Sequence, residues 1–99
     1  MSETIKSSDV IKKLRPLKPE LEERYGVTRI GIFGSVARDE AHSGSDVDIV
    51  VDMAPDLLKR VSLKAELELL LGKKVDVVRY WYGMNNYLKA RIDQEAVYV

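Results

Sequence analysis

Residues 27–52 read VTRIGIFGSVARDEAHSGSDVDIVVD. Val27 to Gly34 is a β-rich run bounded by glycine, the pattern of a buried strand. Gly34-Ser35 closes that run and opens a short helical turn reaching Asp39. Glu40 to Ser45, which holds His42, Ser43 and Gly44, reads as a loop. Asp46 to Asp52 is a second strand. Its first half alternates, with Asp46, Asp48 and Val50 on one face and Val47, Ile49 and Val51 on the other.

Working outward, Ser7, Ser8 and Asp9 offer N-caps to a helix over about 8–15, with Val10, Ile11 and Leu14 on one face. Pro16 and Pro19 should break or re-aim it, because each lacks an amide donor and crowds the preceding turn. A second helix over about 17–25 follows, its stripe made by Leu17, Leu21 and Tyr25. After Asp52, Met53 to Asp56 is a turn and Leu57 to Leu71 a helix, irregular around Ser62. Leu63, Leu67, Leu70 and Leu71 share one side of it, and Gly72 stops it. Lys74 to Arg79 is a third strand, Met84 to Gln94 a last helix with Leu88 and Ile92 inward, and Ala96 to Val99 a short closing strand. The expected fold class is α/β (α+β): a small mixed sheet of about four strands packed with helices, in one domain spanning 1–99.

The chain has 99 residues, 16 basic and 16 acidic, and zero formal net charge. A domain this small buries roughly two-thirds of its extended surface, which argues against a large enclosed substrate cavity. Zero net charge argues against a nonspecific polyanion binder, so no direct nucleic-acid partner is expected. There is no cysteine, which removes disulfides, thiolate zinc sites and cysteine nucleophiles together. No apolar run approaches the roughly 18 residues that a membrane span requires. MSETIKSSDV lacks a signal-peptide core. The expected location is therefore the cytoplasm.

Three elements carry chemistry. Gly34-Ser35 at a strand-to-helix turn suits a phosphate: glycine permits close approach to the backbone, serine adds a hydroxyl, and Arg38 returns to the same side one turn later. Taken alone, a Gly-Ser pair is most often only a turn and a cap. Asp46 and Asp48 point to one face and repel when both are ionised, which a cation between them relieves; magnesium takes such oxygen ligands. Taken alone, they are an acidic sheet edge. Asp76 interrupts an apolar strand, where a charge is costly unless paired with Lys73 or Lys74 or liganded. Together the three form a kit for two-metal phosphoryl transfer. His42, in its polar loop, reads as a solvated side chain rather than a general base.

At this point Gly34-Ser35, ten residues, then Asp46-Val47-Asp48 matches the GS-x10-DxD signature of nucleotidyltransferases related to DNA polymerase beta. GSVARDEAHSGSDVDIVV, then GKKVDVV, and the tail from Met84 to Val99 resemble the minimal nucleotidyltransferases of HEPN/MNT toxin–antitoxin systems. The resemblance covers nearly the whole chain. It implies that Gly34 and Ser35 hold the β and γ phosphates of ATP, with a weaker claim for Arg38. It implies that Asp46 and Asp48 ligate two Mg2+ ions, that Asp76 completes the catalytic metal site, and that all three acids are catalytic. It further implies transfer of AMP to a hydroxyl, a tyrosine, of a cognate HEPN-domain ribonuclease toxin, which thereby loses its activity, within a hetero-oligomer of the two. Asp39 departs from the pattern, since many relatives carry glycine there.

Two other functions fit the same residues. A binding-only antitoxin would block its toxin without catalysis, but pure binding gives no reason for three acids around a phosphate turn. Transfer to a small molecule shares the motif, yet little chain remains to build an acceptor pocket. Template-directed DNA synthesis fits least, given the size and the absent basic surface. Tyr80-Trp81-Tyr82 is the densest aromatic cluster; it reads equally as an interface or as cover for a core edge, and Tyr80 alternatively stacks on a base.

Overall fold

The computed structural model describes residues 5–42 and 44–99, so Ser43 of the expected loop and the first four residues lie outside it. Helix α1 spans Ser7–Leu14, a 3-10 turn Arg15–Leu17, and α2 Lys18–Tyr25. Strand β1 covers Arg29–Phe33, α3 Gly34–Ala37, β2 Val47–Asp52 and α4 Leu57–Leu71. Strand β3 covers Val75–Arg79, α5 Asn86–Glu95 and β4 Val97–Tyr98. Among the described residues, no helix is long and apolar enough to cross a membrane.

The four strands lie in the order β3-β2-β1-β4. β1 runs antiparallel to both β2 and β4, whereas β2 and β3 are parallel. A parallel pair cannot be joined by a tight turn, and α4 is the crossover that joins this one. The alternation expected for β2 then organises both layers. Val47, Ile49 and Val51 join Ile30, Ile32 and Val75 on one face, packed by Val10, Leu14, Leu21, Leu63, Leu67 and Leu71 of the first, second and fourth helices. Each leucine so buried contributes about 1.5–3 kcal/mol. On the other face Val50 and Phe33 meet Met84 and Ile92, with Leu88, Val78, Tyr80 and Tyr98 partly buried around them. This second layer covers Val50 but leaves Asp48, one step along the same face, only half-buried. The charged end of that face is where the sheet stays open.

Element ends moved for local reasons. Pro16 and Pro19 fall in the first turns of the 3-10 segment and of α2, where a missing N–H costs nothing. The chain therefore tightens there instead of breaking. β1 starts at Arg29, and just before it the Thr28 amide and hydroxyl both donate to the Asp52 carbonyl, at 2.9 and 3.2 Å. β2 starts at Val47, leaving Asp46 exposed just outside the strand. β3 starts at Val75, although the Lys74 carbonyl still accepts from the Val47 amide at 2.9 Å. α5 begins after Asn85, whose side chain accepts from the Leu88 amide at 3.0 Å, so Met84 packs on the sheet from outside the helix. α4 runs unbroken through Ser62 from its Asp56 cap to Gly72, which ends it at φ 65°.

The cap of α1 is the clearest revision. Ser7 is its first helical residue and Lys6 its N-cap, with no cap from the Lys6 side chain. The anion comes instead from Asp39, which accepts from the Ser7 amide at 2.8 Å and from the Ser7 hydroxyl at 3.1 Å. Asp39 sits at φ 56°, a left-handed conformation that favours glycine. Asp39→Ala keeps the strain and loses the cap, so urea denaturation should show a loss of about 1–2 kcal/mol. Asp39→Gly loses the same bonds but sheds the strain, and should cost less.

Candidate functional site

Phe33 ends β1 in extended conformation, and Gly34 then turns the chain into α3 at φ 74°. This conformation brings the Gly34 backbone against β2, so that a Cβ there would collide with Asp48 Oδ2. Glycine is needed twice over, for its φ and for the close approach. The Gly34 amide donates to Glu95 Oε1 at 3.0 Å. Arg38 Nη1 donates to the same oxygen at 2.9 Å and Arg38 Nε to Glu40 Oε1 at 2.8 Å. Arg91 Nη2 lies 3.7 Å from that Glu95 oxygen. The turn thus already holds an anion, a carboxylate of the chain itself, between a backbone N–H and a guanidinium. Ser35, partly buried, follows Gly34 in the same turn.

The acids meet at the adjoining end of the sheet. Asp48 stands in register with Phe33 on one side and Asp76 on the other, which sets Asp48 and Asp76 on the same face of neighbouring strands about 4.8 Å apart. The Asp48 carboxyl is held above its ordinary pKa, first by partial burial and then by the charge of Asp76, with smaller contributions from Asp46 and Glu95; Arg91 works against them. Asp46 is close enough to be felt but is solvent-exposed, as is Asp76. Among the described residues no three Asp, Glu, His or Cys side chains form a ready-made metal cluster. The donor set nonetheless fits a hard divalent cation. It consists of carboxylate oxygens whose mutual repulsion is relieved only in part, and Asp76 makes no ion pair with Lys73, Lys74 or any other described residue.

Cations border the acids without closing on them. A depression of about 370 Å³ is lined by Gly44, Ser45, Asp46, Gly72, Lys73 and Lys74. A smaller one of about 130 Å³ is lined by Arg60, Val61, Lys64, Asp76 and Val77. Of the aromatic cluster, Tyr80 is tied down: its hydroxyl donates to Asp93 at 2.7 Å and it packs on the second core. That geometry fits core cover rather than stacking on a base. Trp81 and Tyr82 stay exposed, edge to face at 5.9 Å. His42 is a loop staple, its Nδ1 accepting from the Gly44 amide at 3.2 Å.

Glu95 and Arg91 are the residues that the sequence reading missed at this site. A signal existed. With Leu88 and Ile92 facing inward on α5, positions 91 and 95 flank the same face at i,i+4 spacing.

A nucleotidyltransferase domain model matches residues 14–99. The chain belongs to the nucleotidyltransferase family. It is 49% identical over 88 residues to the protein adenylyltransferase MntA of Thermococcus cleftensis, covering 83% of this chain and 84% of that one. Among solved structures, one assigned as a minimal nucleotidyltransferase superposes with a TM-score of 0.77 at 33% identity, covering 96% of this chain and 97% of the other. A toxin–antitoxin structure with AMP-PNP superposes with a TM-score of 0.67 at 26% identity, covering 95% and 72%. The mixed four-stranded sheet with its helices is the fold of the minimal nucleotidyltransferases, and the chain is a nucleotidyltransferase enzyme.

Proposed function

We propose that this nucleotidyltransferase is an antitoxin that transfers AMP from ATP to a hydroxyl, a tyrosine, of a cognate HEPN-domain toxin and silences it. The observation that carries the reading is the packing of Gly34 against Asp48, with Asp76 in register beside it. It sets a phosphate-sized turn and two carboxylates at one corner of the sheet. A protein adenylyltransferase among the relatives and a toxin–antitoxin assembly crystallised with AMP-PNP support the choice of nucleotide and partner. In this reading the second wall of the site, the acceptor's, comes from that partner protein.

In this reading the Gly34 amide, Ser35 and Arg38 seat the β and γ phosphates and hold the α-phosphorus in line with the incoming hydroxyl. The hydroxyl oxygen forms a bond to the α-phosphorus as the bond to pyrophosphate breaks, and its proton passes to Asp76 or to solvent. Asp46 and Asp48 would hold two magnesium ions, with Asp76 sharing the one nearer the hydroxyl. When bound, the metal supplies a more acidic hydroxyl and neutralises the triphosphate and the departing pyrophosphate. No covalent enzyme intermediate is needed.

To test it, the chain is incubated with ATP, magnesium and the protein encoded beside it, and the products are weighed intact. The partner should gain whole AMP units and lose ribonuclease activity, and neither change should occur with Asp46→Asn. A partner that never gains mass, yet is silenced by stoichiometric Asp46→Asn protein, would mean inhibition by binding alone.

A further inference from the structure

We propose that Glu95 is a resident anion in the phosphate seat and so sets the affinity for the nucleotide. This rests on the reading that Gly34 and Arg38 receive the triphosphate. One carboxylate oxygen of Glu95 takes both donors, the Gly34 amide at 3.0 Å and Arg38 Nη1 at 2.9 Å. The Gly34 amide has a single N–H and cannot serve a phosphate oxygen while the carboxylate holds it, and the same carboxylate takes one of the Arg38 donors. The two anions compete, and binding proceeds through the fraction of molecules in which Glu95 has swung out.

The position of Glu95 points the same way. It is the last residue of α5, where a negative charge opposes the helix dipole and would ordinarily be avoided. The dipole gives no reason for a carboxylate there; its two hydrogen bonds across to the turn do. A waiting partner exists on the same helix: Arg91 Nη2 is already 3.7 Å away and can hold the carboxylate once Arg38 turns to phosphate. Glu95 is therefore a positioning residue, acting through Arg38 and Gly34 rather than on the reacting atoms.

The experiment measures binding of two probes, magnesium AMP-PNP and magnesium tripolyphosphate, by calorimetry on the full chain. The proteins are the wild type, Glu95→Ala and Glu95→Gln. Glu95→Ala should tighten both probes by about three- to tenfold. Glu95→Gln should move the same way but less, because its amide oxygen still accepts from Gly34. In turnover, KM for ATP should fall by the same factor with kcat within about twofold, a split that a purely structural role would not produce. Unchanged or weaker binding in a folded variant, with the wild type binding normally, overturns the proposal. Where Glu95→Ala does not fold, Glu95→Gln decides. A wild type that binds neither probe overturns the phosphate seat itself, and the proposal with it.

Discussion

Asp48→Asn should lower nucleotidyl transfer by about 10³-fold or more and, in the absence of metal, make the protein more stable. The first effect follows from removing one of the carboxylates proposed to hold the metal, which in that reading is a preorganised charge at the centre of the reaction. The second follows from the corner that the fold builds. Folding raises the pKa of Asp48 above its ordinary value through burial and the charge of Asp76. The native state therefore holds this proton more tightly than the unfolded chain does. Stability tied to the group is present at low pH and is lost as pH rises through the raised carboxylate pKa. At neutral pH the ionised carboxylate is a penalty, and asparagine removes it. Thermal unfolding without metal should thus rise by about 2–5 °C in the variant, the scale that a fraction of a kcal/mol produces in a domain this small. The gap between the two proteins should close on acidification. Added magnesium should stabilise the wild type and have much less effect on Asp48→Asn.

Gly34→Ala should be damaging for two separable reasons. A Cβ at φ 74° costs about 1–2 kcal/mol whatever surrounds it. The same Cβ also meets Asp48 Oδ2, so the carboxylate must leave its place beside the turn. Displacements of about 1 Å at a reacting centre cost on the order of 10² in rate, and kcat should fall at least that far. Gly26 is the control. It ends α2 at φ 72° with nothing within 4 Å of a built Cβ. Gly26→Ala should show a similar loss of stability in urea with turnover unchanged. Equal kinetic damage in both variants would show that backbone strain, and not the contact with Asp48, governs the rate.

These residues also mark how far the sequence could be read. Hydrophobic alternation located β2 and both of its faces, because period-two burial is a local property. The stop at Gly72 was legible for the same reason, since a left-handed cap follows from residue type. Strand order was not written locally. That β3 lies parallel beside β2, placing Asp76 in register with Asp48, is a tertiary fact to which spacing alone does not lead. The cap of α1 escaped because its acceptor, Asp39, lies 32 residues away, and local patterns report only neighbours. Glu95 escaped because it reaches Gly34 across 61 residues. The aromatic run was ambiguous in sequence because its three members part ways: Tyr80 is pinned to Asp93, while Trp81 and Tyr82 face solvent.

The most direct test of the central claim follows the two ends of ATP. The chain, magnesium and the proposed toxin partner are incubated with ATP labelled either at the α or at the γ phosphorus, and protein-bound label is counted. Nucleotidyl transfer at the Gly34–Asp48–Asp76 corner predicts α-label on the toxin, γ-label released as pyrophosphate, and neither event with Asp48→Asn. Label from the γ phosphorus on the toxin, or α-label that persists undiminished in Asp48→Asn, would contradict the account.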